Sequence, residues 1–199
     1  MEMFSEEFLQ ETISILDSLD RMSIESVARG ISEVRDRSGR LFVLGVGGSA
    51  AHASHAVNDF RKLCGIEAYA PTDNVSELTA RTNDDGWDST FIEWLRVSRL
   101  NSKDAILVFS VGGGDRDRAV SVNLVRALEF GVDQNAAIFG IVGRTGGFTQ
   151  QVSNACVTIP PKFEERVTPH TEGICAVVWH LLVSHPLLAR NQAKWESVR

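Results

Sequence analysis

The chain has 199 residues, 43% of them hydrophobic and 23% charged, which is enough to bury the core of one globular domain and short for two. A formal net charge of −6 without any run of Lys or Arg argues against nucleic acid and against a membrane surface as the main partner. The sequence has no apolar stretch that could span a bilayer, its start is acidic, and its three cysteines are far apart. We therefore expect a cytoplasmic protein with buried thiols.

Two amphipathic helices are predicted before the first strand. Apolar residues recur at helical spacing from Phe4 to about Leu19, and a second helical run follows from Ser23 to about Arg35, with Ser23 as a candidate N-cap. These helices either pack on a second copy of the chain or cover the sheet within one chain, and we favour a homo-oligomer. The single domain then divides into residues 1–38, which contribute to the oligomer, and residues 39–199, which form the core.

A strand, a glycine turn and a helix follow. The apolar run Leu41–Leu44 leads into Gly45, Gly47 and Gly48, and an Ala-rich helix begins near Ser49. The first N–H groups of such a helix have no partner in the chain, and glycines let an anion approach the backbone, so this turn is a candidate phosphate site. Because the P-loop and the dinucleotide fingerprint are both incomplete here, a packing corner without a ligand is the alternative.

The helix after this turn carries a His and an Asp on one face. His55 and Asp59 are four residues apart, a spacing at which two side chains can hold one divalent metal ion. An exposed His–Asp pair without a ligand has the same spacing.

The next segment is irregular. We expect a short strand between Gly65 and Ala70, a helix from Val75 to about Arg81, and a polar loop over Thr82–Trp87. This loop is either an ordinary surface turn or a segment that lends Asn83 and Asp84 to a bound polyol.

The pattern of strand, glycine turn and helix then repeats. After a helix from Ser89 to Leu100, the strand Ala105–Phe109 is apolar on both faces and ends in the glycine-rich turn Ser110–Asp115, which leads to a helix from about Arg118 to Phe130. Turns at the carboxyl ends of parallel strands lie on one edge of an open sheet, where ligands of α/β proteins bind.

Two further strands complete the sheet. They are predicted at Ala136–Val142 and Ala155–Ile159, and the turn Gly143–Gly147 between them offers Arg144 as an anion contact or as a solvated side chain. Five such units are too few for a barrel and indicate a three-layer parallel α/β sheet.

The last helix starts near Thr168 and runs to about Ser184. Glu172 and His180 lie eight residues apart on it, so they reach one metal only if their side chains converge. Otherwise His180 is an interface histidine. The buried stripe is predicted to contain Ile174, Val177, Val178, Leu181 and Leu182.

Together these residues resemble the sugar isomerase (SIS) domain and, within it, the phosphoheptose isomerases, over nearly the whole chain. The matching motifs are a glycine turn, a His followed four residues later by a carboxylate, an Asn-Asp pair, a phosphate turn and a late pair of polar residues. In this sequence they fall on Gly45–Ser49, His55 and Asp59, Asn83 and Asp84, Ser110–Asp115, and Glu172 and His180.

The resemblance implies a flavodoxin-like αβα sandwich with a five-stranded parallel sheet. It also implies a homotetramer with its sites at subunit interfaces and a zinc ion held by His55, Asp59, Glu172 and His180. The implied reaction converts sedoheptulose 7-phosphate to a heptose 7-phosphate through a metal-stabilised enediolate, with Asp59 and His180 moving protons between C1 and C2. The implied substrate-binding residues are Gly47, Gly48, Ser49, Asn83, Asp84, Ser110, Val111, Gly112, Asp115 and Glu172.

Several positions depart from the family pattern. Val46 replaces an Asn, His52 replaces an Asp, and Gly112 and Asp115 replace phosphate-binding serines. Asp115 repels a phosphate unless it points away or meets a cation such as Arg116.

These departures keep two rival functions open. One is an isomerase of a different phosphoketose. The other is a non-catalytic SIS module that binds a sugar phosphate or serves as a protein scaffold, which would not need metal ligands. Asp59 is one methylene shorter than the Glu of the family, which affects the placement of a proton transfer.

Overall fold

The computed structural model describes residues 3–192, which form one parallel sheet with helices on both faces. The five strands are β1 (Leu41–Leu44), β2 (Ala68–Tyr69), β3 (Ala105–Ser110), β4 (Ala137–Val142) and β5 (Ala155–Thr158). The helices are α1 (Phe4–Asp17), α2 (Arg21–Asp36), α3 (Gly48–Cys64), α4 (Val75–Asp84), α5 (Thr90–Val97), α6 (Val122–Asp133), α7 (Gly147–Val152) and α8 (Val167–Ser184).

The strand order is β2-β1-β3-β4-β5, and every neighbouring pair is parallel. Leu41 of β1 pairs with Ala68 of β2 and with Ala105 of β3, so the chain leaves β1 towards one edge of the sheet and returns on its other side. In this flavodoxin-like order the connections diverge between β1 and β3, which opens a crevice at their carboxyl ends. The predicted three-layer fold is confirmed.

Each face of the sheet has its own hydrophobic core. On one face α2, α3 and α8 contribute fully buried side chains such as Val27, Phe60 and Trp179. On the other face α5 and α6 contribute Phe91 and Leu128, among others. Across residues 3–192, no helix has both the length and the apolar character that a membrane crossing requires.

The two N-terminal helices have different roles. Helix α2 covers the sheet within the chain, since its residues Val27 and Ile31 are fully buried, so the intrachain alternative applies to α2. Its N-cap is Asp20, whose carboxylate accepts hydrogen bonds from the Met22 N–H at 2.9 Å and the Ser23 hydroxyl at 2.6 Å. The prediction of Ser23 as the N-cap is therefore wrong, because Asp20 is the N-cap and Ser23 lies inside the first turn of the helix.

Two predicted boundaries differ from the structure. Helix α4 continues through Asp84, so the expected loop is helical at Asn83 and Asp84; an ion pair between Arg81 and Glu77 at 2.8 Å supports this turn. Helix α6 begins at Val122 rather than near Arg118, because residues 115–120 close into a short hairpin instead.

Helix α8 is apolar on more than one face. Val178 and Leu182 are buried as predicted, but Val177 is 49% exposed and Leu181 is 41% exposed. The predicted stripe is wrong at these two positions because residues 174–183 are apolar except for His180, so their pattern does not reveal which side meets the core.

The thiols are inert. Cys64 and Cys175 are buried and Cys156 is half-buried, and all three are free. Burial raises the pKa of Cys64 and of Cys156 to about 11, so both stay protonated at neutral pH. These cysteines are therefore not candidates for a nucleophile.

Candidate active site

Two glycine turns meet at the crevice between β1 and β3, where they enclose a cavity of about 490 Å³. Ser49 lies in the first turn of α3, and Ser110 is the last residue of β3. The cavity also reaches Arg144 after β4 and Glu172 on α8. It is lined by Val46, Ser49, Phe109, Ser110, Val111, Gly112, Gly114, Asp115, Arg118, Val120, Ser121, Leu124, Arg144 and Glu172.

The turn after β1 meets the side chain of Glu172. Gly47 has a φ of 63°, a conformation that favours glycine, and helix α3 begins at Gly48. A β-carbon added at Gly48 would lie 2.5 Å from Oε1 of Glu172. The carboxylate therefore rests against the first turn of α3, where unpaired N–H groups and the helix dipole favour a negative charge.

The turn after β3 is fixed by its own hydrogen bonds. The Gly113 N–H donates to Oγ of Ser110 at 2.9 Å, and the Gly113 carbonyl accepts from the Thr149 N–H at 2.9 Å and from the Thr149 hydroxyl at 2.7 Å. The Gly114 carbonyl accepts from the Phe148 N–H at 2.8 Å. These carbonyls cap the N-terminus of α7, so that helix end is already satisfied and the turn is held rigid.

Residues 115–120 form a closed hairpin at the mouth of the cavity. The N–H and carbonyl groups of Asp115 and Val120 bond each other at 3.0 Å in both directions. The Asp115 carboxylate accepts from the N–H groups of Asp117 at 3.0 Å and Arg118 at 2.9 Å. Arg116 does not meet Asp115 but pairs with Glu129 at 3.1 Å, so the cation beside Asp115 is Arg118, at 3.8 Å.

The sequence does not identify Arg118 as a site residue, because its pattern predicts that a helix begins there. It lines the cavity from the hairpin, and Arg144 lines it from the turn after β4. The sequence does contain a signal for this placement, because Asp115 directly follows a glycine turn and Arg118 comes three residues later. An Asp in such a position accepts hydrogen bonds from nearby backbone N–H groups, so the helix begins later.

Three of the four predicted metal ligands form a cluster. Ligand atoms of His55, Asp59 and His180 all lie within 4.8 Å of one another. Nε2 of His55 is 3.8 Å from Oδ2 of Asp59, and the rings of His55 and His180 lie 5.5 Å apart and nearly perpendicular. Two imidazoles and a carboxylate are a donor set that zinc and other divalent transition metals accept.

Neighbouring groups orient these side chains. Nδ1 of His180 lies 2.7 Å from the Ala176 carbonyl, which can only accept, so Nδ1 carries the hydrogen and Nε2 of the neutral ring keeps its lone pair. The ring of buried Trp179 lies edge-on to His55, with ring centres 4.8 Å apart. The side-chain amide of Asn58 donates to Oδ1 of Asp59 at 2.9 Å, which leaves Oδ2 facing His55.

The remaining predicted site residues lie elsewhere. Within residues 3–192 the structure groups Glu172 with the cavity and not with the metal cluster. Asn83 and Asp84 are exposed at the end of α4, outside the cavity lining, and the Asn83 amide donates to Asp84 at 2.7 Å. The structure therefore brings together a cavity at the glycine turns and a three-residue cluster farther along α3.

Comparison with known proteins decides the family. No protein-family model matches the chain. Over 170 residues the chain is 31% identical to a probable phosphoheptose isomerase from Thermoplasma volcanium, with 81% of this chain and 83% of that protein aligned. The chain belongs to the phosphoheptose isomerase family. It is also 28% identical over 196 residues to the phosphoheptose isomerase of Aneurinibacillus thermoaerophilus, with 96% of this chain and 93% of that protein covered.

Solved structures of the family share the fold. The phosphoheptose isomerase from Neisseria gonorrhoeae superposes with a TM-score of 0.78 at 20% identity, over 90% of this chain and 96% of that one. The phosphoheptose isomerase from Francisella tularensis gives 0.76 at 22% identity, over 91% and 92% of the two chains. At these identities the similarity describes the backbone, and the chemistry must be argued from the residues of this chain.

Proposed function

We propose that this phosphosugar isomerase converts sedoheptulose 7-phosphate to a heptose 7-phosphate by moving a proton between neighbouring carbons. The observation that supports the proposal most is that the site has two parts. One is a cavity lined by cationic and hydroxyl side chains, and the other is the cluster of His55, Asp59 and His180. A linear phosphosugar has its phosphate and its carbonyl at opposite ends, and this two-part site offers a separate group to each.

Asp59 is the proposed base. Its carboxylate takes the proton from the carbon next to the carbonyl and returns it to the neighbouring carbon, so that the substrate passes through an enediol in between. The hydrogen bond from Asn58 fixes Oδ1 of the carboxylate, and Oδ2 faces His55, so Oδ2 serves as proton acceptor or as metal ligand, one role at a time.

His180 is proposed to move the hydroxyl proton. Because Nδ1 donates to the Ala176 carbonyl, the lone pair on Nε2 can accept a proton from one substrate oxygen and return it to the other. The same lone pair is a metal donor, so His180 fills one of these two roles at a time.

The proposed metal ligands are His55, Asp59 and His180, with Glu172 joining only if its side chain leaves the first turn of α3. A divalent ion, with zinc as the expected one, would supply a Lewis acid for the substrate oxygens. The donor set of two imidazoles and a carboxylate fits such an ion, and the contact between Nδ1 of His180 and the Ala176 carbonyl leaves Nε2 available to bind it.

We also propose a homo-oligomer, with a tetramer as the expected form. His55 and His180 are exposed, and the apolar side chains of Val177 and Leu181 are exposed on the same helix as His180. On α1, Leu9 is 60% exposed. A second copy of the chain that covers these surfaces would remove both the histidines and the apolar side chains from water. Sedimentation velocity measures the oligomer directly.

The reaction is tested by following sedoheptulose 7-phosphate by NMR in D₂O. Where the proton on Asp59 exchanges with solvent before it is returned, the product carries deuterium at the carbon that gains the proton, and this label shows proton transfer. Shorter phosphoketoses, ribulose 5-phosphate and fructose 6-phosphate, are run in parallel. Turnover of one of these in place of the heptulose would show an isomerase of another phosphoketose. Turnover by Asp59→Asn at the wild-type rate would rule out the transfer by Asp59.

A further inference from the structure

The cavity at the β1–β3 crevice contains two carboxylates and two guanidinium groups, and the hydrogen bonds around them decide where an anion can bind. The carboxylates belong to Asp115 and Glu172, and the guanidinium groups to Arg118 and Arg144. The sequence assigned phosphate to both glycine turns alike. The structure makes the two turns unequal.

The turn after β1 is already occupied by a negative charge. The carboxylate of Glu172 lies against Gly48, at the first turn of α3, where its charge is favoured by the helix dipole. A phosphate placed at the same N–H groups would meet this carboxylate at short range, and two like charges in one site oppose each other. The α3 side of the cavity therefore disfavours a dianion.

On the β3 side of the cavity, the carboxylate of Asp115 is hydrogen-bonded within its own loop. Asp115 accepts hydrogen bonds from two backbone N–H groups of the hairpin, at 2.9 and 3.0 Å, which satisfies its negative charge locally. Nε of Arg118 lies 3.8 Å from Oδ2 of Asp115, so the guanidinium is not held by a close hydrogen bond to Asp115.

The two arginines are available to a ligand. The side chain of Arg118 is 84% exposed at the tip of a hairpin that is closed by two backbone hydrogen bonds. Arg144 is exposed in the turn after β4, and among residues 3–192 it has no acidic partner within 4.0 Å. The turn at Gly112–Gly114, which lines the same cavity, is anchored to α7.

We propose that Arg118 and Arg144 are the residues that bind the terminal phosphate of the substrate, and that Glu172 keeps this phosphate away from the α3 side. The guanidinium groups supply the positive charge that the hydroxyl groups of the serines lining the same cavity lack. The proposal rests on the proposed function for the identity of the ligand, although the anion site itself can be measured without turnover.

The test uses inorganic phosphate as the probe and isothermal titration calorimetry on the full chain. Arg118→Met and Arg144→Met each remove one guanidinium from an exposed position and keep a similar side-chain length. We expect each to weaken phosphate binding about tenfold, in line with the loss of one charge-assisted hydrogen bond. Arg116→Met is the matched control, since Arg116 lies on the same hairpin but pairs with Glu129; it should bind phosphate within about twofold of wild type.

The outcomes distinguish a failure of this inference from a failure of the proposed function. Phosphate binding that is unchanged in both Arg118→Met and Arg144→Met, or equally weakened in Arg116→Met, overturns the inference even if sedoheptulose 7-phosphate is turned over. Arginine-dependent phosphate binding without turnover of sedoheptulose 7-phosphate supports the anion site and rejects the proposed substrate. Circular dichroism of each variant confirms that the fold is retained.

Discussion

Gly48 and Glu172 share one space at the N-terminus of α3: a β-carbon on Gly48 would lie 2.5 Å from Oε1 of the Glu172 carboxylate. The glycine therefore allows a carboxylate from α8 to reach the first turn of α3. This contact places the charge of Glu172 at the cavity and links α8 to the N-terminal end of α3, whereas His55 and His180 lie farther along the two helices.

Gly48→Ala should displace Glu172 without unfolding the protein. The clashing atom is the end of a flexible side chain, so we expect the free energy of unfolding to change by less than about 1 kcal/mol. The turnover rate should fall, because the carboxylate leaves its place in the cavity. Gly173→Ala is the control, since a β-carbon there meets no atom within 4 Å and lies in the same helix as Glu172. Equal turnover of the two variants would show that the position of Glu172 does not matter.

Asp59→Asn should lower kcat by about 10²- to 10⁴-fold, because the amide cannot accept the carbon-bound proton. Asp59→Glu keeps a carboxylate and moves it by one methylene, so its loss should not exceed about 10²-fold. Asp85→Asn is a control of the same charge change, since Asp85 is exposed and reaches Arg81 only at 4.0 Å. The metal content of each variant is measured alongside kcat, which separates loss of the base from loss of a ligand. Turnover by Asp59→Asn at the wild-type rate would exclude this base.

A buried ion-pair cluster holds α1 against the rest of the chain and should make stability depend on acid pH. Nε of Arg166 lies 2.8 Å from Oε2 of Glu11, and Nε2 of His170 lies 2.7 Å from the same oxygen. These contacts, chiefly the hydrogen bond from Arg166, lower the pKa of Glu11 from 4.5 to about 2. Because the folded-state pKa is depressed, this stabilisation is complete above pH 4.5 and is lost as the pH falls towards 2.

The Glu11→Gln variant should therefore have a lower free energy of unfolding than wild type at pH 7. This difference in free energy should become smaller as the pH falls from 4.5 to 2. Thermal unfolding followed by circular dichroism across this range measures it. Glu6→Gln, an exposed position on the same helix, should show no such narrowing. A constant difference between Glu11→Gln and wild type at all pH values would mean that the contribution of Glu11 is not ionic.

The fold was predictable because its signals are local. The runs Leu41–Leu44 and Ala105–Phe109 are apolar on both faces, as interior parallel strands are, and each ends in a glycine turn. The spacing of His55 and Asp59 places them on one face of a helix from sequence alone. His180 is named as a ligand only through the resemblance, and the structure brings it to these two residues.

The rest depends on contacts between distant segments. Whether Glu172 lies with the metal cluster or at the cavity is decided by the packing of α3 against α8, which no spacing within α8 reveals. Arg118 reaches the cavity because Asp115 pairs with Val120 and delays the next helix. Val177 is exposed although it is apolar, because the pattern of α8 does not distinguish its two apolar sides.

Zinc binding at equilibrium, measured together with turnover, tests the central claim most directly. Wild-type protein, dialysed against a chelator and then against zinc, is compared with the His55→Ala and His180→Ala variants. We predict that wild type regains zinc and isomerase turnover together, whereas His55→Ala binds zinc at least tenfold more weakly, in line with the loss of one of three protein ligands. Zinc binding by both variants at the wild-type level, or full turnover by the chelated wild type, would contradict the account.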